Sequence, residues 1–147
     1  MVIRTYKPTD FKEVVNMYYE LTKEVYSHRK IAHIDNFYKA VNEWIDCNYD
    51  IIIIEKDGIV AGFGVAYIDS MGGLLENYYL LDNVYIKPEY RKTRSLYFIV
   101  QYCLHYAQSQ GYVLAGNASD ITESSRISAK FGLKVFTRYE KLPKEKE

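Results

Sequence analysis

One stretch near the middle of the chain decides the fold: DNVYIKPEYRKTRSL, residues 82–96. Its first half has the apolar character of a β-strand, a proline turns the chain, and a helical pattern follows that we expect from Arg91 to Ser109. The first N–H groups of a helix lack a partner within the helix, so a helix that starts at the end of a strand offers a site for phosphate. Arg91, Lys92 and Arg94 add positive charge where the helix dipole itself prefers acids, an arrangement suited to holding an anion.

Turn signals and apolar periodicity predict further elements on both sides of this stretch. Asp57-Gly58 is a strong hairpin signal, and Met71-Gly72-Gly73 indicates a second turn between strands. The predicted strands are residues 2–6, 51–54, 59–68, 75–86, 112–115 and 133–142, and the predicted helices start at Thr9 or Asp10, Asp35, Arg91, and Asp120 or Thr122. Three successive strands joined by turns must be antiparallel, and the strand–helix–strand unit after them should be a right-handed parallel crossover. We therefore expect an α/β fold with a mixed central sheet of about six strands and about four helices on its two faces.

The composition indicates one folded domain without a charge bias. Of 147 residues, 48% are hydrophobic and 26% are charged, and 19 basic side chains balance 19 acidic ones. Such a chain can offset the entropy of ordering, and residues 1–142 are expected to form a single domain followed by a charged tail at residues 143–147. Zero net charge argues against a broadly basic surface for nucleic acid. The polar N-terminus and the short apolar runs predict no signal peptide, no membrane partner and a cytoplasmic location.

Cysteines, histidines and tyrosines restrict the chemistry further. Cys47, Cys103 and the three histidines have no metal-ligand spacing, so no metal is expected, and both thiols should be reduced. Cys103 lies in the predicted buried stripe of its helix, which makes it a poor nucleophile. The 16 tyrosines have two interpretations. They build the core and a subunit contact, as in a homodimer or larger homo-oligomer, or some of them line a substrate cleft with hydroxyl groups.

Val84-Tyr85-Ile86 and Pro88-Glu89-Tyr90-Arg91 resemble the acetyl-CoA-binding signature of the GCN5-related N-acetyltransferase (GNAT) superfamily. In that family a strand ending in Val-x-Pro-x-Tyr-Arg leads into an Arg/Gln-x-x-Gly-x-Gly/Ala loop around the pyrophosphate. Lys130-Phe131-Gly132-Leu133 is similar to the family's closing Gly-Phe element, and the order of elements matches over nearly the whole chain, as in a divergent member of bacterial or phage type. The resemblance implies acetyl-CoA as co-substrate, bound by the strand end and the loop: Val84, Tyr85, Ile86, Arg91, Lys92, Thr93, Arg94, Ser95 and Leu96.

Three positions depart from the family pattern. Arg94 and Leu96 stand where the loop has glycines, which would let a phosphate approach the backbone closely. Arg94 could instead bind a phosphate through its guanidinium group. Ser128 stands where many members have the tyrosine that protonates the leaving thiolate. Another tyrosine, or water, would then have to supply that proton.

The resemblance also implies a mechanism in which the incoming amine attacks the thioester directly and loses a proton to a nearby base. Asp82 is our candidate base, and even spacing predicts Glu76 on the same face of the same strand unless a β-bulge lies between them. The candidate acids for the leaving thiolate are Tyr139, Tyr85 and Tyr78, which the sequence does not rank.

Two hypotheses for the function follow. The first is an acyl-CoA-dependent N-acyltransferase that moves the acetyl group of acetyl-CoA to a primary amine. The second is a catalytically silent scaffold of the same fold that acts as a binding or assembly module, which Leu96, Ser128 and the many tyrosines favour. The segments that usually form the acceptor pocket in such folds contribute His28, Arg29, Lys30, Tyr78 and Tyr79. The basic residues among them either form a rim suited to an acceptor with a carboxylate or phosphate or simply face water.

Overall fold

The computed structural model of the chain describes residues 1–70, 73–74 and 76–116. Within them, five strands form one sheet in the order β1-β2-β3-β4-β5. The strands are β1 (Val2–Thr5), β2 (Asp50–Lys56), β3 (Ile59–Asp69), β4 (Tyr78–Ile86) and β5 (Val113–Gly116). Strands β1 to β4 pair antiparallel and β5 pairs parallel with β4, so the predicted mixed α/β sheet is confirmed. The helix predicted from residue 120 and the strand predicted at 133–142, with Ser128 and Tyr139, lie outside the described residues.

Helices cover both faces of the sheet. In the described ranges they are α1 (Phe11–Val25), α2 (Ile34–Asp46) and α3 (Ser95–Gln110). On one face, Val14 of α1 and Trp44 of α2 pack against Phe63 of β3. On the other face, Ile99 of α3 belongs to a second core that includes Ile54 of β2. None of these three helices is long and apolar enough to span a membrane.

The hairpin between β2 and β3 forms at the predicted turn. Asp57 and Gly58 have φ angles of 52° and 77°, the left-handed values that a two-residue type I′ turn requires. Lys56 pairs directly with Ile59 across the turn, which confirms the predicted hairpin.

The predicted start of α3 at Arg91 is wrong, because the helix begins at Ser95. The proline after β4 opens a single 3₁₀ turn, Pro88–Tyr90, and Arg94 then adopts a left-handed conformation that interrupts any continuous helix. Arg91, Lys92 and Arg94 therefore lie in the turn that precedes the helix rather than in its first turn.

Two other predicted boundaries are also wrong. Helix α2 is capped by His33 rather than by Asp35, since Nδ1 of His33 accepts a hydrogen bond from the N–H of Asp35 at 3.3 Å. Strand β4 begins at Tyr78 rather than at residue 75, so Glu76 lies outside the strand. The even spacing that predicted Glu76 and Asp82 on one face of one strand therefore does not apply.

Candidate functional site

Strand β4 carries a β-bulge at Asn83. Val84 and Asp82 pair with consecutive residues of β3, so Asn83 between them is an extra residue, and its φ of 39° is in the left-handed region. Asp82 pairs with Val65, which belongs to the core under α1 and α2, and the buried Tyr85 belongs to the same core. The bulge thus shifts the alternation of side chains by one residue, so that Asp82 and Tyr85 share the α1–α2 face despite their odd spacing.

The edge of β4 beyond the bulge has no described strand beside it, because β5 pairs with β4 only along the first four residues of β4. On its other edge, the N–H of Lys87 donates to the carbonyl of Ala61 in β3 at 2.9 Å. Antiparallel alternation therefore directs the backbone groups of Ile86 and Val84 to the edge away from β3. The carbonyl of Ile86 accepts a hydrogen bond from Nε of Arg91 at 2.9 Å. An extended ligand could pair with this edge as an added strand would.

The chain between β4 and α3 forms a compact turn that its own hydroxyl groups hold. Oγ1 of Thr93 donates to the carbonyl of Tyr90 at 2.5 Å and lies 2.7 Å from Oγ of Ser95, which is fully buried. The N–H of Phe98 donates to the carbonyl of Arg94 at 3.1 Å, at the start of α3. The N–H groups of the first helical turn precede this bond and have no acceptor within the helix. The N-terminus of α3 is therefore of the kind that binds anions.

The three basic side chains of the turn have different surroundings. Nη2 of Arg91 lies 2.8 Å from each carboxylate oxygen of Glu24, in the last part of α1. The guanidinium of Arg94 lies 4.8 Å from the centre of the Tyr97 ring and is exposed. Lys92 is exposed as well. All three cations of the turn are therefore exposed, and Arg91 is in addition bound to α1.

The apolar residues of the predicted cofactor set contribute to packing. Val84 and Leu96 pack against the core on the α3 face, which also includes the buried Ile86. Tyr85 is buried on the opposite face. Leu96, at one of the two positions where the family pattern has glycine, thus stabilises the contact of α3 with the sheet.

Asp82 lies among tyrosines on the α1–α2 face. Burial first, and then the negative charge of Asp82, raise the pKa of Tyr67 to about 12. The same two causes, in the same order, raise the pKa of Tyr18 on α1. The ring of Tyr18 lies 4.6 Å from that of Trp44, and the ring of Tyr67 is stacked on Tyr49 at 4.5 Å. The carboxylate of Asp82 and the rings of Tyr18 and Tyr67, each packed against another aromatic ring, therefore lie next to the bulge.

The candidate acids in β4 differ in their distance from the bulge. Tyr85 is two residues beyond the bulge, and its burial raises the pKa of its hydroxyl. Tyr78 lies at the other end of the strand, about 16 Å away at 3.3 Å per residue. The Tyr78 hydroxyl donates to Asp69 at 2.9 Å, and that hydrogen bond raises its pKa. Tyr79, predicted for the acceptor pocket, lies instead in the core on the α3 face, because side chains alternate along the strand, and its hydroxyl donates to Asp50 at 2.7 Å.

The predicted basic rim lies on the exposed segment between α1 and α2. His28, Arg29 and Lys30 are exposed there, and the guanidinium of Arg29 lies 5.7 Å from the centre of the Tyr26 ring. Among the described residues, no group of three or more His, Cys, Asp or Glu side chains could hold a metal ion.

Two residues of the site were missed by the sequence analysis. Asn83 forms the bulge, and its residue type was a usable signal, since asparagine tolerates left-handed backbone better than most residues. Glu24 binds Arg91 across 67 residues of chain, and no sequence signal could have identified that pair.

Residues 11–131 match the model of the acetyltransferase (GNAT) family. The chain belongs to this family. No curated protein sequence is significantly similar to it.

Solved structures show the same fold at low sequence identity. A probable acetyltransferase has a TM-score of 0.78 at 16% identity, with 100% of both chains covered. A predicted acetyltransferase from Clostridium acetobutylicum, solved with acetyl-CoA, has a TM-score of 0.72 at 11% identity, covering 97% of this chain and 95% of its own. An aminoglycoside 6'-N-acetyltransferase from Acinetobacter haemolyticus, solved in the apo form, has a TM-score of 0.72 at 12% identity, with 100% of both chains covered.

Proposed function

We propose that the chain transfers the acetyl group of acetyl-CoA to a primary amine by direct attack of the amine. One observation carries the proposal: a bulged strand, one edge of which has no neighbouring strand among the described residues, leads through a turn into the N-terminus of a helix. This order would hold a thioester arm and a diphosphate one after the other. Family membership supports acetyl-CoA as the donor, and the similar Clostridium acetobutylicum acetyltransferase was solved with acetyl-CoA.

The residues present fit this donor. Val84 and Ile86 offer backbone groups to the amides of an extended arm. The first turn of α3 offers N–H groups to a diphosphate, with Lys92 and Arg94 as exposed cations beside it. Four further members of the predicted set support the site from within the fold, namely Tyr85, Thr93, Ser95 and Leu96.

The chemistry assigned to these residues is one acyl transfer. Asp82 accepts the proton that the amine loses as its nitrogen bonds to the acetyl carbon. A backbone N–H of Val84 or Ile86, on the edge of β4 away from β3, stabilises the negative charge that develops on the carbonyl oxygen. The carbon–sulfur bond breaks, and a tyrosine, Tyr139 or Tyr85, donates a proton to the sulfur. The products are an N-acetylated amine and the thiol of CoA.

The test separates donor binding from chemistry at Asp82. Asp82→Asn should bind acetyl-CoA as the parent does in calorimetric titration, and its kcat with a panel of primary amines should fall about 100-fold or more. Thiol release from acetyl-CoA is the measured signal. Glu76→Gln is the matched control, since it removes a carboxylate that lies outside β4 and should leave kcat unchanged. Absence of acetyl-CoA binding at high micromolar concentration would refute the proposal.

The alternative function is a silent scaffold that binds partners without catalysis. The arginine at a left-handed position of the turn favours it, because glycine there would let a phosphate approach the backbone. This alternative requires that no amine in the panel releases the CoA thiol, whether or not acetyl-CoA binds.

A further inference from the structure

We infer that Glu24 is an internal competitor of the cofactor's phosphate for Arg91, and that the Glu24–Arg91 ion pair opens when acetyl-CoA binds. The inference rests on the proposed function and concerns the regulation of the same site. It assigns a role to Glu24, which lies on α1 and outside the turn that precedes α3.

One side of the Arg91 guanidinium is fixed by the protein backbone, and the other side can change its anionic partner. Its Nε donates to the carbonyl of Ile86 at 2.9 Å in a partly buried hydrogen bond. The guanidinium also lies 5.5 Å from the centre of the ring of Tyr85, which is buried. Nη2 points outward to the carboxylate of Glu24, with both oxygens at 2.8 Å. Nη2 can therefore exchange one anionic partner for another while Nε keeps its bond.

Glu24 holds Arg91 weakly enough to be displaced. The side chains of Arg91 and Glu24 are 42% and 44% exposed, and exposed ion pairs of this kind contribute little because water and salt screen them. A diphosphate carries more negative charge than one carboxylate, and arginine binds phosphate through two parallel hydrogen bonds. A diphosphate at the N-terminus of α3 would lie near Arg91, three residues before the N-cap residue Arg94. We therefore expect the diphosphate to displace the Glu24 carboxylate from Arg91.

A second ion pair shows that α1 does not depend on Glu24 alone for its position. Near the other end of α1, Glu13 binds the ammonium group of Lys87, at the end of β4. The Lys87 side chain is 24% exposed, less than that of Arg91, so this pair is the better shielded of the two. Loss of the Glu24 contact should therefore leave the helix attached to the sheet.

The test is the sign of the change in acetyl-CoA affinity when Glu24 loses its charge. Glu24→Gln removes the competitor, so the Kd for acetyl-CoA should fall about two- to fivefold, as the energy of an exposed ion pair allows. Glu20→Gln is the matched control, because Glu20 is an exposed acid on the same helix that pairs with Lys23 instead of Arg91. Its Kd should stay within experimental error of the parent.

A double variant ties the effect to Arg91. Arg91→Ala should weaken binding about tenfold through the loss of charge-assisted hydrogen bonds. In that background Glu24→Gln should add no affinity. Thermal unfolding of each variant checks that the fold is retained.

Three outcomes would overturn the inference. Unchanged or weaker binding by Glu24→Gln would show that the pair supports the site and does not compete with the ligand. An equal gain from Glu20→Gln would show a general effect of negative charge on α1. If the parent itself binds no acetyl-CoA, the proposed function fails and the inference fails with it, and the parent titration separates that result from the other two.

Discussion

Arg94 shows how a single backbone conformation explains part of a family pattern. Its φ of 63° is left-handed, and the other described non-glycine residues with positive φ are Asn48, Asp57 and Asn83, whose short polar side chains tolerate that region. Arginine has no such tolerance. The glycine that the family pattern has at this position therefore relieves a conformational cost at the start of α3, in addition to any contact with phosphate.

At the residue scale, we predict that glycine gives a more stable protein than alanine at position 94 and a less stable one at position 92. Both substitutions at 94 remove the guanidinium from the Tyr97 ring, so the difference between them reports the backbone alone. Arg94→Gly should have a free energy of unfolding about 1 kcal/mol above that of Arg94→Ala. Lys92 is not among the described residues with positive φ, so Lys92→Gly should be about 0.5 kcal/mol less stable than Lys92→Ala. Urea unfolding measures all four, and equal stabilities at position 94 would contradict the prediction.

At the scale of elements, β3 and β4 approach closely beyond the bulge, where no described strand pairs with the other edge of β4. A Cβ added to Gly62 would lie 2.5 Å from the carbonyl oxygen of Tyr85 and 3.1 Å from Cα of Ile86. A Cβ added to Gly64 would lie 2.6 Å from Cδ1 of Ile99, which is the end of a flexible side chain. The room that these glycines leave is therefore filled by β4 and α3, and Gly62 sets the position of the β4 backbone itself.

We accordingly predict different effects for two alanine substitutions. Gly62→Ala must displace the backbone of β4, so it should cost about 1–3 kcal/mol of unfolding free energy and also weaken acetyl-CoA binding. Gly64→Ala can be accommodated by Ile99, so it should cost less and leave binding unchanged. Urea unfolding and calorimetric titration give the two readouts. Equal losses of affinity in both variants would show that Gly62 does not specifically position the edge of β4 that is proposed to bind acetyl-CoA.

At the scale of the whole molecule, the two cysteines differ in their access to solvent. Cys103 is fully buried in the core under α3, and burial raises the pKa of its thiol to about 12. Cys47 is exposed after α2. The sequence predicted that Cys103 is a poor nucleophile, and both its burial and its raised pKa agree with that prediction.

We predict that a thiol reagent at pH 8 modifies Cys47 rapidly, whereas Cys103 reacts only from the globally unfolded state. Mass spectrometry of proteolytic fragments assigns the modified residue. Refolding should be faster than modification, so the rate should follow the unfolding equilibrium constant. Gly62→Ala should therefore accelerate modification of Cys103 by the factor that corresponds to its loss of unfolding free energy. Rapid modification of Cys103 in the stable parent would show that α3 opens locally.

Much of the architecture could be predicted because it depends on short-range signals. Asp57-Gly58 has the residue types of its turn, and the strand–proline–helix stretch at residues 82–96 contains its own boundaries to within a few residues. The start of α3 was predicted too early because helical periodicity ignores the conformation of Arg94. The place of Glu76 was predicted wrongly because a period of two assumes that the strand extends that far.

By itself, the sequence determined the mixed sheet, the order of its described elements and the turn between β4 and α3, since each depends mainly on signals from residues that are neighbours along the chain. The tertiary structure decided the bulge at Asn83 and the face on which Asp82 lies, because a bulge exists only relative to the register of β3. It also decided that Arg91 binds Glu24, because packing α1 beside the end of β4 brings together charges that are 67 residues apart. Local patterns specify elements, whereas contacts between distant residues form only after the elements have packed.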